Sequence, residues 1–466
     1  MKLNLITNKF RDILHNTIFK MAQSDSKNYI DAEPTKDLFI SMLIKDISLR
    51  DAIGDLVDNS VDGARASAKD KNNLKDFFID ITANENEFII RDNCGGIPVI
   101  TARKHAFRFG RPEEYSATPG SIGQFGIGMK RAFFKLGRII GINSIELNSD
   151  FILNIDVDKW KSDKQWNFVF EAVNEKATNR LSNTGTTIDI KMLNKEVKNS
   201  FSDSSFLVDL GNEIALEQML NIGKGLVINI NTVKLIAPKI TIKTADNLKP
   251  YFYKYKFDSS LSIQVLAGIS DDSAEDGGWY VFCNDRLIMG RDKSAATGWT
   301  GRVGDGVAEY HDQFYKFRGY AFFFADNVKD LPWNTTKTGM NLDSPEYKFT
   351  RSKMIDAMRM VMTLMNRLKT EKEKDNPVEN QVLNNAINSI KPVLVTKLIA
   401  DADELEKLND KFEFPPVFSP AKSKEQTISY KVTNEKYAKV KDYLGAMKPA
   451  EVGLETFNYF FDNEVG

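Results

Sequence analysis

The sequence predicts an α+β fold in which helices lie on a mostly antiparallel sheet. Two observations lead to this. The segment SLRDAIGDLVDNSVDGA, Ser48 to Ala64, projects at about 100° per residue with Leu49, Ile53, Leu56, Val57, Ser60, Val61 and Ala64 on one side. Asp51, Asp55, Asp58, Asn59 and Asp62 fall on the other, so the segment is an amphipathic helix with an acidic face. Short alternating strands follow it: Phe77 to Thr82 and Phe88 to Arg91 around the turn-like ANENE, then FILNIDVDKW, WNFVFEAV and TTIDIKML.

In chain order, residues 1–36 are polar and suit an N-terminal arm, and residues 37–198 form the first domain. A helix-compatible run from Leu38 to Ile47 precedes the acidic helix. Ser48, with Asp51 three positions on, is a capping-box-like start that makes Asp51 structural. Residues 199–345 carry LVININTVKLI, SIQVLAGI, GWYVFCNDRLIMG and GYAFFFAD, a second strand-rich domain that ends near DLPWNTTKTGM. Residues 346–466 read as a helical C-terminal region. There Met354, Met358, Met362 and Met365 recur at helical spacing, a stripe expected to pack, and a lysine-rich helix surrounds Lys431 to Lys441.

Composition narrows the function classes. The chain has 466 residues, of which 42% are hydrophobic and 11% aromatic, enough for packed cores. Its net charge of −1 gives no global attraction to nucleic acid or to an acidic membrane. Cys94 and Cys283 are far apart and lack CxxC spacing, which argues against a disulfide scaffold or zinc finger and fits a reducing compartment. The start lacks the apolar core of a secretory signal and no long apolar run suggests a membrane span, so a cytoplasmic location is expected. His15, His105 and His311 are isolated in sequence, which disfavours metal-hydrolase chemistry.

The acidic helix has no basic residue between Arg50 and Arg65, so its carboxylates need compensation from elsewhere. A hydrated Mg²⁺ bridging to phosphates is one candidate. In RDNCGGIP, Asp92 stands where a strand meets a Gly-Gly turn. It can form an Asx-type turn, and it can also accept from an exocyclic amine such as adenine's. In GQFGIGMKRA, Gly123, Gly126 and Gly128 precede a helix, where backbone amides can converge on phosphate oxygens. Lys130 and Arg131 follow, able either to add charge there or to sit on exposed helix surface. Thr186 stands at a strand entrance in NTGTTIDI.

Taken in order, DLVDNSVDGA, RDNCGGIP, GQFGIGMKRA and TGTTI resemble the GHKL superfamily of ATP-binding domains, over about residues 48 to 190. The superfamily includes DNA gyrase, the ninety-kilodalton heat-shock chaperones, MutL proteins, microrchidia ATPases and sensor histidine kinases. The resemblance implies a Bergerat-type ATP-binding α/β sandwich followed by a transducer-like α/β domain, with ATP and Mg²⁺ as cofactors. Residue by residue, it implies that Asn59 holds Mg²⁺ against the triphosphate, with Asp62 close by. Asp92 would read the adenine amine, with Gly96 and Ile97 in its turn and Thr186 near the base. Gly123, Gln124, Phe125, Gly126, Ile127, Gly128, Met129 and Lys130 would form the lid over the phosphates.

The sequence departs from the family pattern at two positions. Asp55 stands where the hydrolysing members carry the glutamate that polarises the attacking water, which implies slow hydrolysis because a displacement of about 1 Å can cost on the order of 100-fold in rate. Cys94 replaces the usual first glycine of the turn, which is tolerable if that residue needs no positive φ. Lys337 in NTTKTGM is similar to the transducer cation that reaches the γ-phosphate. His15 leaves too little chain for a phospho-accepting helical hairpin, so a histidine kinase is set aside. The build is closest to the microrchidia-like and heat-shock-90-like proteins. It implies an ATP-dependent homodimeric clamp acting on a DNA or protein client, with a non-hydrolysing ATP sensor or scaffold as the alternative.

Overall fold

The structure is a computed structural model that describes residues 33–110, 119–123, 126–271, 274–302, 304–334, 336–373, 381–400, 410–415, 428–445 and 448–465. Most of the expected N-terminal arm, including His15, lies outside the described residues, as do Gln124 and Phe125. The chain divides into two compact units, Met1–Pro415 and Pro416–Gly466.

Helix α1 (Lys36–Lys45) begins at Thr35, whose hydroxyl accepts from the Leu38 amide. Helix α2 (Leu49–Ser67) begins at Ser48, whose Oγ accepts the Asp51 amide at 3.0 Å. The Asp51 carboxylate accepts the Ser48 hydroxyl at 2.7 Å rather than a backbone donor, so the expected cap forms as half of a capping box. The sheet of this part is built from β1 (Phe78–Ala83), β2 (Glu87–Asp92), β3 (Gly137–Ile145), β4 (Asp150–Asp156), β5 (Phe170–Asn174), β6 (Gly185–Leu193), β7 (Val227–Ile230) and β8 (Val233–Lys234). Between β2 and β3 comes helix α3 (Gly128–Leu136), and between β6 and β7 helix α4 (Ser204–Glu217).

The strand order is β5-β4-β3-β6-β2-β1-β7-β8, antiparallel except where β7 runs parallel to β1. The predicted hairpin is present, with Ile81 opposite Ile90. Strand alternation turns Ile79, Ile81, Phe88, Ile90, Ile140, Ile142, Ile188 and Ile190 into the core, where they share one cluster with Ile53, Leu56, Val57 and Val61 of α2. One reading changes: LVININ does not open the second sheet but adds β7 to the first one, because Ile228 and Ile230 complete the same buried face.

A short strand β9 (Thr241–Lys243) leads to the second sheet, made of β10 (Tyr251–Lys256), β11 (Leu261–Ile269), β12 (Gly278–Cys283), β13 (Arg286–Asp292) and β14 (Phe317–Ala325). Its order is β10-β11-β14-β12-β13, with only β12 and β14 parallel. Helix α5 (Pro345–Glu373) packs on β11 and β14. Met354, Met358, Met362 and Met365 are all buried there, so the methionine stripe belongs to the core. Strand β15 (Pro392–Leu394) pairs with β9 and returns the chain to this body. The fold is α+β with a helical region after the second sheet, as expected.

In the second unit, helix α6 (Asn434–Leu444) starts at Thr433 and stops at Gly445, whose φ is 63°. Its lysines include Lys439, which pairs with Glu435 one turn away. Helix α7 (Pro449–Glu464) follows. Among the described residues, no helix is long and apolar enough to cross a membrane.

Candidate functional site

A cavity of about 570 Å³ opens between α2, the turn after β2 and the glycine segment before α3. Most of the residues expected at a site line it: Asp55, Asn59, Asp62, Gly96, Ile97, Gly123, Gly126, Ile127, Gly128, Met129, Lys130 and Lys337. Asp92 and Thr186 do not line it themselves, but Asp92 accepts the amide of Cys94, which does.

The Asp92 turn forms because the carboxylate supplies acceptors to a stretch short of backbone partners. Its Oδ1 accepts the Cys94 amide at 2.9 Å, the expected Asx-type turn, and the Thr186 amide at 3.2 Å. Its Oδ2 accepts the Ser60 hydroxyl at 2.6 Å, which fixes the turn to α2. Burial pushes the Asp92 carboxyl above its ordinary range, although these three donors pull the other way. Gly96 has φ of 74°, and a Cβ there would lie 2.1 Å from the Ile145 carbonyl oxygen, so only glycine fits. Cys94 has no positive φ, which explains how a side chain is accepted where the family pattern has glycine.

Asp62 also acts through backbone. Its two carboxylate oxygens accept the amides of Ile122 at 2.7 Å and Gly123 at 2.8 Å, tying the glycine segment to α2. Burial raises its pKa against those two bonds. Gly128, the first residue of α3, is required for close approach, since a Cβ would meet the Asp55 carboxylate at 2.8 Å. Asn59 is exposed on the cavity wall.

Asp55 and Asp58 correct the expectation of a face compensated by metal. Both are buried, and side-chain cations compensate them. Asp55 Oδ2 takes Arg131 Nη2 at 2.6 Å, and Asp55 Oδ1 takes Lys337 Nζ at 3.0 Å. Asp58 takes Lys337 Nζ at 2.7 Å, Gln218 Nε2 at 2.8 Å and Arg286 Nε at 2.9 and 3.0 Å. Burial alone would raise the Asp55 pKa, but Lys337 and Arg131 outweigh it and hold the carboxyl below its usual value. Burial would likewise lower Lys337, but Asp58 and Asp55 raise it. Lys130 and Arg131 are buried rather than on exposed helix surface. Lys130 Nζ donates to the carbonyls of Ala106, at 2.7 Å, and Gly126.

Sequence reasoning missed Arg286, Gln218 and Glu217. Arg286 follows a two-residue hairpin turn in which Asn284 and Asp285 have φ of 48° and 69°. Asn-Asp between two strands is the available signal for such a turn. The turn is fastened to the first sheet's half of the molecule: Asp285 pairs with Lys224 at 2.7 Å and Arg65 at 3.4 Å, and Asn284 Nδ2 donates to the Ser121 carbonyl at 3.1 Å. Glu217 lies 3.1 Å from Arg286, and burial, only partly offset by Arg286, pushes its carboxyl up to about 7.

A mainly antiparallel sheet thus backs a helix whose Asp and Asn side chains meet a glycine segment over a cavity. Residues 47–196 match the family described as histidine kinase-, DNA gyrase B- and HSP90-like ATPase, and this stretch of the chain is a GHKL-type ATPase domain that binds ATP. The chain matches none of the curated proteins compared with it.

Proposed function

We propose that the chain is an ATP-driven clamp that binds Mg·ATP in the cavity beside α2, hydrolyses it slowly and passes the nucleotide state to its second sheet. What carries this reading is Lys337: it comes from the loop after β14, yet its Nζ lies 3.0 Å from Asp55 and 2.7 Å from Asp58 on α2. A cation so placed can leave the carboxylates for a terminal phosphate, which makes the position of the second sheet depend on the ligand.

The residues fit a triphosphate. Two residues of the cavity wall carry a buried polar atom without a partner among the described residues, Ser121 Oγ and Arg131 Nε. Such orphans are costly unless a ligand or water meets them. Among the described residues no group of three or more His, Cys, Asp or Glu side chains could hold a metal, so Mg²⁺ would be held by the Asn59 amide oxygen together with the phosphates. Bound there, Mg²⁺ would neutralise phosphate charge. Asp92 would accept the adenine amine, the amides around Gly123, Gly126 and Gly128 would face the phosphates, and Asp55 would orient the water that displaces ADP from the γ-phosphorus.

Slowness follows from electrostatics. A carboxylate paired with two cations is a weak proton acceptor, so Asp55 acts only after at least one cation has moved. The same observation favours a second reading, an ATP sensor or scaffold that closes without hydrolysis. The implied ATP-dependent homodimer, built like the microrchidia and heat-shock proteins and acting on DNA or a protein client, fits both.

Single-turnover hydrolysis by the full chain, with wild type and Asp55→Asn compared, separates the two. ADP formation that falls at least about 10-fold in the variant supports the enzyme. Tight Mg·ATP binding with no phosphate release from the wild type would establish the sensor instead.

A further inference from the structure

Three cations, Arg131, Arg286 and Lys337, meet in one buried network with two buried carboxylates, Asp55 and Asp58. The third acid, Glu217, has a side chain 19% exposed and touches only Arg286 among these cations. With Glu217 the network sets three acids against three cations, and of the cations Arg131 and Lys337 line the cavity whereas Arg286 does not.

The three cations are not equally committed. Arg286 donates to both oxygens of Asp58 and to the carbonyls of Leu287 and Lys337, and it also pairs with Glu217. Lys337 is shared between two carboxylates. Among the described residues Arg131 makes a single hydrogen bond, to Asp55 Oδ2, and its Nε is buried without a partner. A guanidinium carries five donors in a planar fork that matches phosphate bidentately, so Arg131 is the member with recognition capacity to spare. It also sits in the first turn of α3, at the end of the glycine segment and on the cavity wall.

We propose that Arg131 is a ligand for the terminal phosphate, acting in cis: on nucleotide binding its guanidinium turns from Asp55 to the γ-phosphate, so that triphosphate is distinguished from diphosphate and Asp55 is released in the same motion. This rests on the reading of the cavity as an ATP site. Arg131 and Lys337 then form a two-cation clamp, one from the ATPase domain and one from the loop after the second sheet. Asp55 holds both in waiting when no terminal phosphate is present.

The test is equilibrium titration of the full chain with Mg·ATP and with Mg·ADP, for wild type, Arg131→Gln and Arg131→Lys. Loss of a charge-assisted contact to the γ-phosphate is expected to weaken ATP binding by about 10- to 100-fold in Arg131→Gln. ADP binding should stay within about 3-fold, which also shows that the variant is folded. Arg131→Lys keeps a charge opposite Asp55 but loses the fork, and should lower the ATP-to-ADP preference by about 3- to 10-fold. If Arg131→Gln fails to fold, the Arg131→Lys ratio decides. A wild-type preference in the folded variants, or parallel loss of both nucleotides, would overturn the role of Arg131 while leaving the ATP site standing. If the wild type binds neither nucleotide, the site itself falls and the inference with it.

Discussion

Replacing Asp58 with Asn tests the buried network most severely. The carboxylate accepts four hydrogen bonds, two from Arg286, one from Gln218 and one from Lys337, and none of its side chain is open to water beyond 1%. Asn keeps the shape, but it turns one acceptor into a donor facing a cation and leaves Arg286 and Lys337 short of a counter-charge. Breaking a buried pair in this way costs about 3–5 kcal/mol, and the lower end applies because Asp55 still holds Lys337. At roughly 2–4 °C per kcal/mol for a domain of this size, the main melting transition should fall by about 6–12 °C. Differential scanning calorimetry at neutral pH reads this directly. Asp158→Asn is the control, because its pair with Arg138 is 50% and 52% exposed and is expected to be worth less than about 1 kcal/mol. If the two variants melt at the same temperature, the network is not what fastens the second sheet to α2.

Other consequences are also measurable. Glu217 titrates near 7 in the folded chain against 4.5 ordinarily, so its contribution to stability is full below pH 4.5 and is lost as pH rises through about 7. Glu217→Gln should remove that slope, on the order of 3 kcal/mol, from urea midpoints compared at pH 5 and pH 8; an unchanged slope would place the titration elsewhere. Gly96→Ala forces a side chain into φ of 74° and against the Ile145 carbonyl, and should cost at least about 2 kcal/mol in chemical denaturation as well as weaken nucleotide binding. Met358→Ala removes a fully buried side chain between α5 and the second sheet and should cost about 2–5 kcal/mol in the same assay. A loss below 1 kcal/mol would mean that the helix is loosely packed.

What the sequence revealed was local. The Ser48 cap, the hairpin around ANENE, the Asp92 turn and the methionine stripe each depend on residues a few positions apart, where periodicity and turn chemistry act. The helical projection of α2 correctly separated Leu56 and Val61 from Asp55 and Asp58. It could not show that the acidic side is covered too, because the covering residues are far away in sequence: Arg286 lies 228 positions from Asp58, and Lys337 lies 282 from Asp55. Arg131 was visible beside the glycine segment, but its burial depends on Asp55 approaching the first turn of α3, which Gly128 permits. Strand β7 was misplaced for the same reason, since a short apolar run does not say which sheet receives it.

In the proposed ATP site the adenine amine would have to reach Asp92, whose oxygens already accept the Ser60 hydroxyl and the Cys94 and Thr186 amides. Equilibrium titration of the full chain with Mg·ATP and Mg·GTP, in wild type and Asp92→Asn, tests this central requirement without depending on turnover. Wild type should prefer ATP by at least about 10-fold, and Asp92→Asn should lose that preference because the amide no longer presents a carboxylate to the adenine amine. No binding of either nucleotide, or an ATP preference that survives in Asp92→Asn, would contradict it.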